Sequence, residues 1–199
     1  MERRPHVGIL ALQGDVREHA HVLRELGAEV SLVRRPAELA AVDGLVIPGG
    51  ESSVIDKLSR SFGMQHPIRD AIAAGMPVYG TCAGMIMLAD RLTNPIAGQE
   101  TFGGLDVVVT RNAFGSQVDS FETDLEVAGF EGHAVRATFI RAPLVAAVGP
   151  RATAIATLPD GGVVAVEQGP LLATAFHPEV SGETRFHERF LGLVRAAAR

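Results

Sequence analysis

The chain has 199 residues, 47% hydrophobic and 21% charged, enough for one well-buried core, short for two, and unlike a disordered composition. A formal net charge of −5, with no basic cluster beyond the pairs Arg3-Arg4 and Arg34-Arg35, argues against a nucleic-acid partner. The single cysteine, Cys82, excludes an internal disulfide and a cysteine cage for a metal; with no signal-like apolar stretch and no apolar run of about 18 residues, a cytoplasmic protein with no membrane partner is expected.

Strand-like and helix-like patterns alternate through the first half, the signature of a parallel sheet with crossover helices. Val7 to Leu12 is a nearly continuous apolar run, as in a strand buried on both faces. Asp15 is placed to cap the next helix, where Val16, Ala20, Leu23 and Leu26 recur at helical spacing before Gly27 ends it. Val30–Val33 reads as a second strand and Gly44–Ile47 as a third, stopped by Pro48-Gly49-Gly50. Ser52 and Ser53 are candidate caps for another helical stretch. Pro77–Gly80 forms a fourth strand, and a helix starts at Met85–Ala89.

Short strand candidates dominate the second half: Val107–Val109, Ala134–Ile140, Ala152–Leu158, Val163–Val166 and Leu171–Phe176. Pro159-Asp160-Gly161-Gly162 is the turn of an antiparallel hairpin. A last helix covers about Glu183 to Ala197, with Phe186, Phe190, Leu193 and Val194 on one face. The expected fold is one three-layer α/β domain over residues 1–199, flavodoxin-like, with a mostly parallel sheet, helices on both faces and added antiparallel strands.

Gly80-Thr81-Cys82-Ala83-Gly84 lies between a buried strand and an apolar helix, the G-x-nucleophile-x-G pattern of a nucleophile elbow. The turn needs small neighbours because it holds its nucleophile in a strained backbone conformation, and it aims the sulfur at a helix N-terminus that favours a thiolate. Of the seven histidines, His6, His19, His21, His66, His133 and His187 sit in polar or chain-end settings and are expected at the surface. His177 follows an apolar strand and precedes Pro178-Glu179. On an extended segment residues two apart point the same way, so Glu179 reaches the imidazole and orients it as a carboxylate does in a Ser-His-Asp system. An acyl-transfer site also needs N–H donors for an oxyanion. Gly49 and Gly50, at the carboxyl end of the third strand, and Ala83, after the nucleophile, are the candidates. No metal and no cofactor are expected.

Together Gly80-Thr81-Cys82-Ala83-Gly84, Pro48-Gly49-Gly50-Glu51-Ser52 and Phe176-His177-Pro178-Glu179 resemble the class I, triad-type glutamine amidotransferases. Narrower stretches are similar to the glutaminase subunits of pyridoxal 5'-phosphate synthases: Leu12-Gln13-Gly14, Arg111-Asn112 through Phe121-Glu122, and Phe139-Ile140-Arg141-Ala142-Pro143. The resemblance implies that Cys82 attacks the amide of L-glutamine to form a thioester. His177 serves as base and then acid, and Glu179 orients it. It also implies that Gly50, Glu51, Ser52, Arg111, Ile140 and Arg141 line bound glutamine. The implied partner is a barrel-type synthase subunit, twelve copies of each in the complex, which takes up the ammonia. Ala113 and Ser116 stand where relatives are expected to carry Ser and Arg, which bears on docking rather than chemistry. Two rivals are an amidotransferase subunit serving another synthase, and a flavodoxin-like protein whose elbow cysteine senses oxidants. The long Arg111–Glu122 segment speaks against the first, and the His177-x-Glu179 pair against the second.

Overall fold

The computed structural model describes residues 3–114 and 120–198. Ser116, one of the two departures noted above, lies outside the described residues. Strands β1 (His6–Leu10), β2 (Glu29–Val33), β3 (Gly44–Ile47), β4 (Val78–Thr81) and β12 (Leu171–Thr174) form the parallel half of the main sheet, in the order β2-β1-β3-β4-β12. Every residue of β3, β4 and β12 is buried, which is why these stretches read as unbroken apolar runs. Beyond β12 the sheet turns antiparallel through β11 (Val163–Gln168), β9 (Leu144–Val148) and β6 (Leu105–Thr110), and ends on β5 (Ala89–Leu92), parallel to β6. The hairpin expected at Pro159–Gly162 joins β10 (Thr153–Thr157) to β11 in antiparallel pairing.

A separate two-stranded ribbon pairs β7 (Ser120–Leu125) with β8 (Val135–Ile140). Phe121 stacks on Phe139 at a centroid distance of 4.6 Å. Phe139 contacts Phe176 at 5.4 Å, and Phe176 contacts Phe186 at 5.3 Å. This aromatic chain fastens the ribbon to the main body immediately before His177.

The helices are α1 (Val16–Glu25), α2 (Pro36–Leu39), α3 (Ser52–Ser61), α4 (Gln65–Ala73), α5 (Ala83–Leu88), α6 (Pro178–Ser181) and α7 (Arg185–Ala197). Several local expectations are corrected. Asp15 occupies the N-cap position of α1 but its side chain makes no cap hydrogen bond, because its carboxylate turns to His177. Glu51, not Ser52 or Ser53, caps α3, its side chain accepting from the Ser53 N–H. Ala89 leaves the helix to open β5. The C-terminal helix begins at Arg185 rather than Glu183, because α6 is a separate turn closed by Gly182 in the left-handed conformation, φ 75°. Among the described residues no helix is long and apolar enough to cross a membrane.

Candidate active site

The register of the parallel sheet brings the two halves of the sequence motif together. Thr174 at the end of β12 pairs with Thr81 at the end of β4, and the Cys82 N–H donates to the Thr174 carbonyl at 2.8 Å. His177 follows three residues later, its N–H bonded to the Thr138 carbonyl of β8 at 3.1 Å. Cys82 and His177 thus leave adjacent strand ends on one edge, and β3, on the other side of β4, delivers the Pro48-Gly49-Gly50 loop to the same edge.

Cys82 has φ 50°, ψ −103°, well outside the conformations an L-residue prefers. The surroundings enforce this turn. A Cβ on Gly80 would lie 2.5 Å from the backbone of Gly84, and a Cβ on Gly84 would run into the carbonyl oxygen of Ile47. The elbow is therefore packed directly against its own helix and the neighbouring strand. Asn112 (φ 46°) and Arg141 (φ 43°) are the other non-glycine residues with positive φ among the described residues. All three line one cavity of about 260 Å³, below the roughly 300–1,000 Å³ of drug-sized sites and suited to a small metabolite. Such clustering of strained residues is a mark of functional sites.

Its walls also include Gln13, Asp15, Gly50, Glu51, Ser52 and His177. The sulfur of Cys82 lies 3.9 Å from the Ile140 carbonyl. Nδ1 of His177 is 2.8 Å from Glu179 Oε1, as the two-residue spacing requires, and 3.3 Å from Asp15 Oδ2. Burial disfavours the His177 imidazolium, but hydrogen bonds to Asp15, Cys82 and Glu179 outweigh it and raise its pKa to about 12. For Glu179 the balance is reversed. Desolvation pushes its carboxyl up, against the pull of His177. Gly49 packs on the His177 ring, where a side chain would collide with Cε1 and with Asp15 Oδ2.

Arg111 is buried and reaches Glu51 Oε1 at 3.0 Å, while its Nε has no partner among the described residues. Asn94 holds this arginine's backbone from both sides, accepting from its N–H and donating to its carbonyl. Ser52 Oγ accepts from Gln99, and the Glu51 N–H donates to Gln13 Oε1 at 2.7 Å. Of the eleven positions named from sequence, Gly50, Glu51, Ser52, Cys82, Arg111, Ile140, Arg141 and His177 face the cavity. Gly49, Ala83 and Glu179 stand directly behind it.

The sequence reading missed four cavity residues, Gln13, Asp15, Ile86 and Asn112. Gln13 and Asp15 carried a usable signal, since they follow β1, which neighbours β3 and so ends beside the glycine loop. It also misplaced two histidines. His19 and His187 were expected in solvent, yet both are fully buried. They lie on the inward faces of α1 and α7 and bond to each other at 2.9 Å, with His19 Nε2 a further 3.0 Å from Thr81 Oγ1. Paired in this way, three of their four ring nitrogens are satisfied away from water, and His187 Nδ1 is left without a partner among the described residues.

The SNO glutamine amidotransferase family matches residues 9–196. The chain is 65% identical over 187 residues to the pyridoxal 5'-phosphate synthase subunit PdxT of Leifsonia xyli subsp. xyli, covering 94% of each. It is 61% identical over 195 residues to the PdxT of Clavibacter michiganensis subsp. michiganensis, covering 98% of this chain and 93% of that one. A crystal structure of a glutamine amidotransferase superposes with a TM-score of 0.88 at 43% identity, covering 94% of this chain and 98% of the other. An elbow cysteine beside a carboxylate-bound histidine, on a chain matched almost end to end, has one family context: this chain belongs to the SNO glutamine amidotransferase family.

Proposed function

We propose that this chain is the glutaminase subunit of a pyridoxal 5'-phosphate synthase, with the whole chain acting as one catalytic domain. The observation that carries the chemistry is the strained Cys82 sharing a small cavity with a histidine bound to a buried carboxylate. Cys82 attacks the side-chain amide carbon of L-glutamine, and the carbonyl oxygen becomes an oxyanion. His177 takes the thiol proton and passes it to the departing nitrogen, so that ammonia leaves and a γ-glutamyl thioester remains. Water then adds, its proton going to His177, and collapse releases glutamate while the proton returns to sulfur. Glu179 holds Nδ1 throughout and exchanges no proton with the substrate.

The oxyanion donors in this reading are the N–H groups of the Gly49-Gly50 loop and of Ala83. Ala83 is the first residue of α5, so its N–H has no acceptor within the helix. Arg111 clamps the α-carboxylate of glutamine, a task suited to its fork of donors. Gly50, Glu51, Ser52, Ile140 and Arg141 line the rest of the substrate. The likeness to proteins named as pyridoxal 5'-phosphate synthase subunits points the ammonia to a barrel-type synthase partner. The resemblance suggests twelve copies of each subunit, in the cytoplasm.

The test is glutamate release from glutamine by the purified chain, alone and titrated with the synthase subunit. Cys82→Ala is expected to release none while keeping its fold and partner binding. Wild-type-like hydrolysis by that variant would remove the triad. The glycine loop gives the partner a way to control the rate. Docking that turns one loop N–H onto the oxyanion is worth about 10²–10³ in turnover. Equal turnover with and without the partner would rule out that control.

A further inference from the structure

Behind the proposed triad lies a buried chain of side chains that the chemistry above leaves unused. Glu179 Oε1, which accepts from His177, also lies 3.5 Å from Nε2 of His19, and the side chains of His19 and Glu179 are fully buried. Nδ1 of His19 meets Nε2 of His187 at 2.9 Å. The rings are wedged among Tyr79, 5.4 Å from His187 in an edge contact, and Phe190, 5.9 Å from Tyr79. Nδ1 of His187 and Oε2 of Glu179 have no partner among the described residues.

Hydrogen-bond arithmetic fixes the direction of this chain. Burial, with the neighbouring histidines, holds the His19 pKa well below its usual value, and burial lowers that of His187 to about 4, so both rings are neutral and each carries one N–H. If His19 donated through Nδ1, its bare Nε2 would face the Glu179 carboxylate and His187 would bury an unpaired N–H. If His187 donates through Nε2 instead, the His19 proton sits on Nε2, between Glu179 Oε1 and Thr81 Oγ1, and only a lone pair of His187 goes unmatched. The second arrangement costs less.

We propose that His19, held in one tautomer by His187, is a positioning residue whose buried Nε2–H, hydrogen-bonded to Thr81 Oγ1, also stands 3.5 Å from Glu179 Oε1 and favours the charged form of that carboxylate. The proposal rests on the reading of Cys82, His177 and Glu179 as the triad. The groups around Glu179 are His177 on its own segment, Asp15 and His19 from the chain after β1, and Tyr79 and Thr81 of β4. His187 of α7 and Glu183 before it complete the surroundings. Among the side chains near the carboxylate, His177 and His19 bring nitrogen donors, beside the backbone N–H of Glu179 itself. Without His19, desolvation has less opposing it, and Glu179 stays protonated to higher pH. His177 then loses its counter-charge and Cys82 its imidazolium.

The experiment compares His19→Asn, His19→Gln and His187→Phe. The Asn amide can follow Nδ1 toward His187 but falls short of Glu179. The Gln amide reaches the place of Nε2. Phe fills the His187 volume without a donor. Two pH profiles are read, kcat/KM for glutamine hydrolysis in the complex, and the rate of iodoacetamide labelling of the only thiol. His19→Asn is expected to lose about ten- to a hundredfold in kcat/KM and to move the acid limb of both profiles to higher pH. His187→Phe should move it the same way by less, and His19→Gln should keep it near its wild-type position. Unmoved limbs in both His19→Asn and His187→Phe would overturn the proposal. So would equal shifts in the Asn and Gln variants, which a purely space-filling role would give. If His19→Asn fails to fold, His187→Phe decides the matter by the same limb. A wild-type complex that hydrolyses no glutamine would remove the triad reading itself, whereas an active wild type with unmoved limbs removes the role of His19 alone.

Discussion

In the proposed triad His177 and Glu179 divide their work by position. The imidazole faces the cavity and the carboxylate stands behind it with no exposed surface. Glu179→Gln should therefore slow glutamine hydrolysis less than His177→Ala, because an amide oxygen can still accept from Nδ1 while nothing replaces the proton carrier. Loss of an orienting carboxylate has cost up to about 10⁴-fold in related chemistry, so the smaller effect is still severe. Turnover of both variants under saturating partner checks the order, and a more active His177→Ala would reverse the assigned roles. At this scale the grouping of Cys82, His177 and Glu179 at one cavity was legible from the sequence. A lone cysteine between two glycines and a histidine two residues before a glutamate are local patterns. His19 was not legible, because what buries it is a residue 168 positions away, and no window along the chain contains both.

At the level of the element, the elbow between β4 and α5 depends on close backbone approach. Gly84→Ala would push a methyl group into the Ile47 carbonyl, an atom of β3 that cannot rotate away. Overpacking of this kind costs about 1–3 kcal/mol. The expected result is a lower melting temperature together with slower hydrolysis, since α5 can yield only by moving Ala83 and Cys82. A Gly84→Ala protein with wild-type melting and turnover would show that the helix relaxes freely. The parallel strands were readable because burial on both faces leaves continuous apolar runs. β7 and β5 were not. β7 alternates exposed and half-buried residues up to Leu125 and leans on aromatic contacts with β8. β5 begins within an apolar stretch that continues the helical pattern.

For the whole molecule, the buried histidines set a limit on the acid side. Folded, His187 takes a proton only near pH 4, while in the unfolded chain it does so near 6.5. The unfolded state thus binds protons first as pH falls. Stability from this group is complete above about pH 6.5 and drains away toward pH 4, by about 3 kcal/mol, and His19 adds to it in the same direction. His177 has the opposite sign. Its raised pKa supports the fold below about 6.5 and loses that support as pH climbs toward 12. Urea midpoints at pH 7 and pH 4.5 should differ strongly in the wild type and less in His187→Phe. An unchanged pH dependence in that variant would mean that other groups govern acid unfolding.

The three left-handed residues around the cavity set two selective pressures against each other. Cys82, Asn112 and Arg141 each hold a backbone shape that glycine would adopt with less strain, and each such conformation costs of order 1–3 kcal/mol. Selection for heat resistance alone would favour glycine at positions 112 and 141, where the side chain is not the proposed nucleophile. Selection for turnover would hold the asparagine and the arginine in place. Glycine at either position would relieve that strain at the expense of a side chain that lines the cavity, so durability and substrate contact are opposed at this place in the fold.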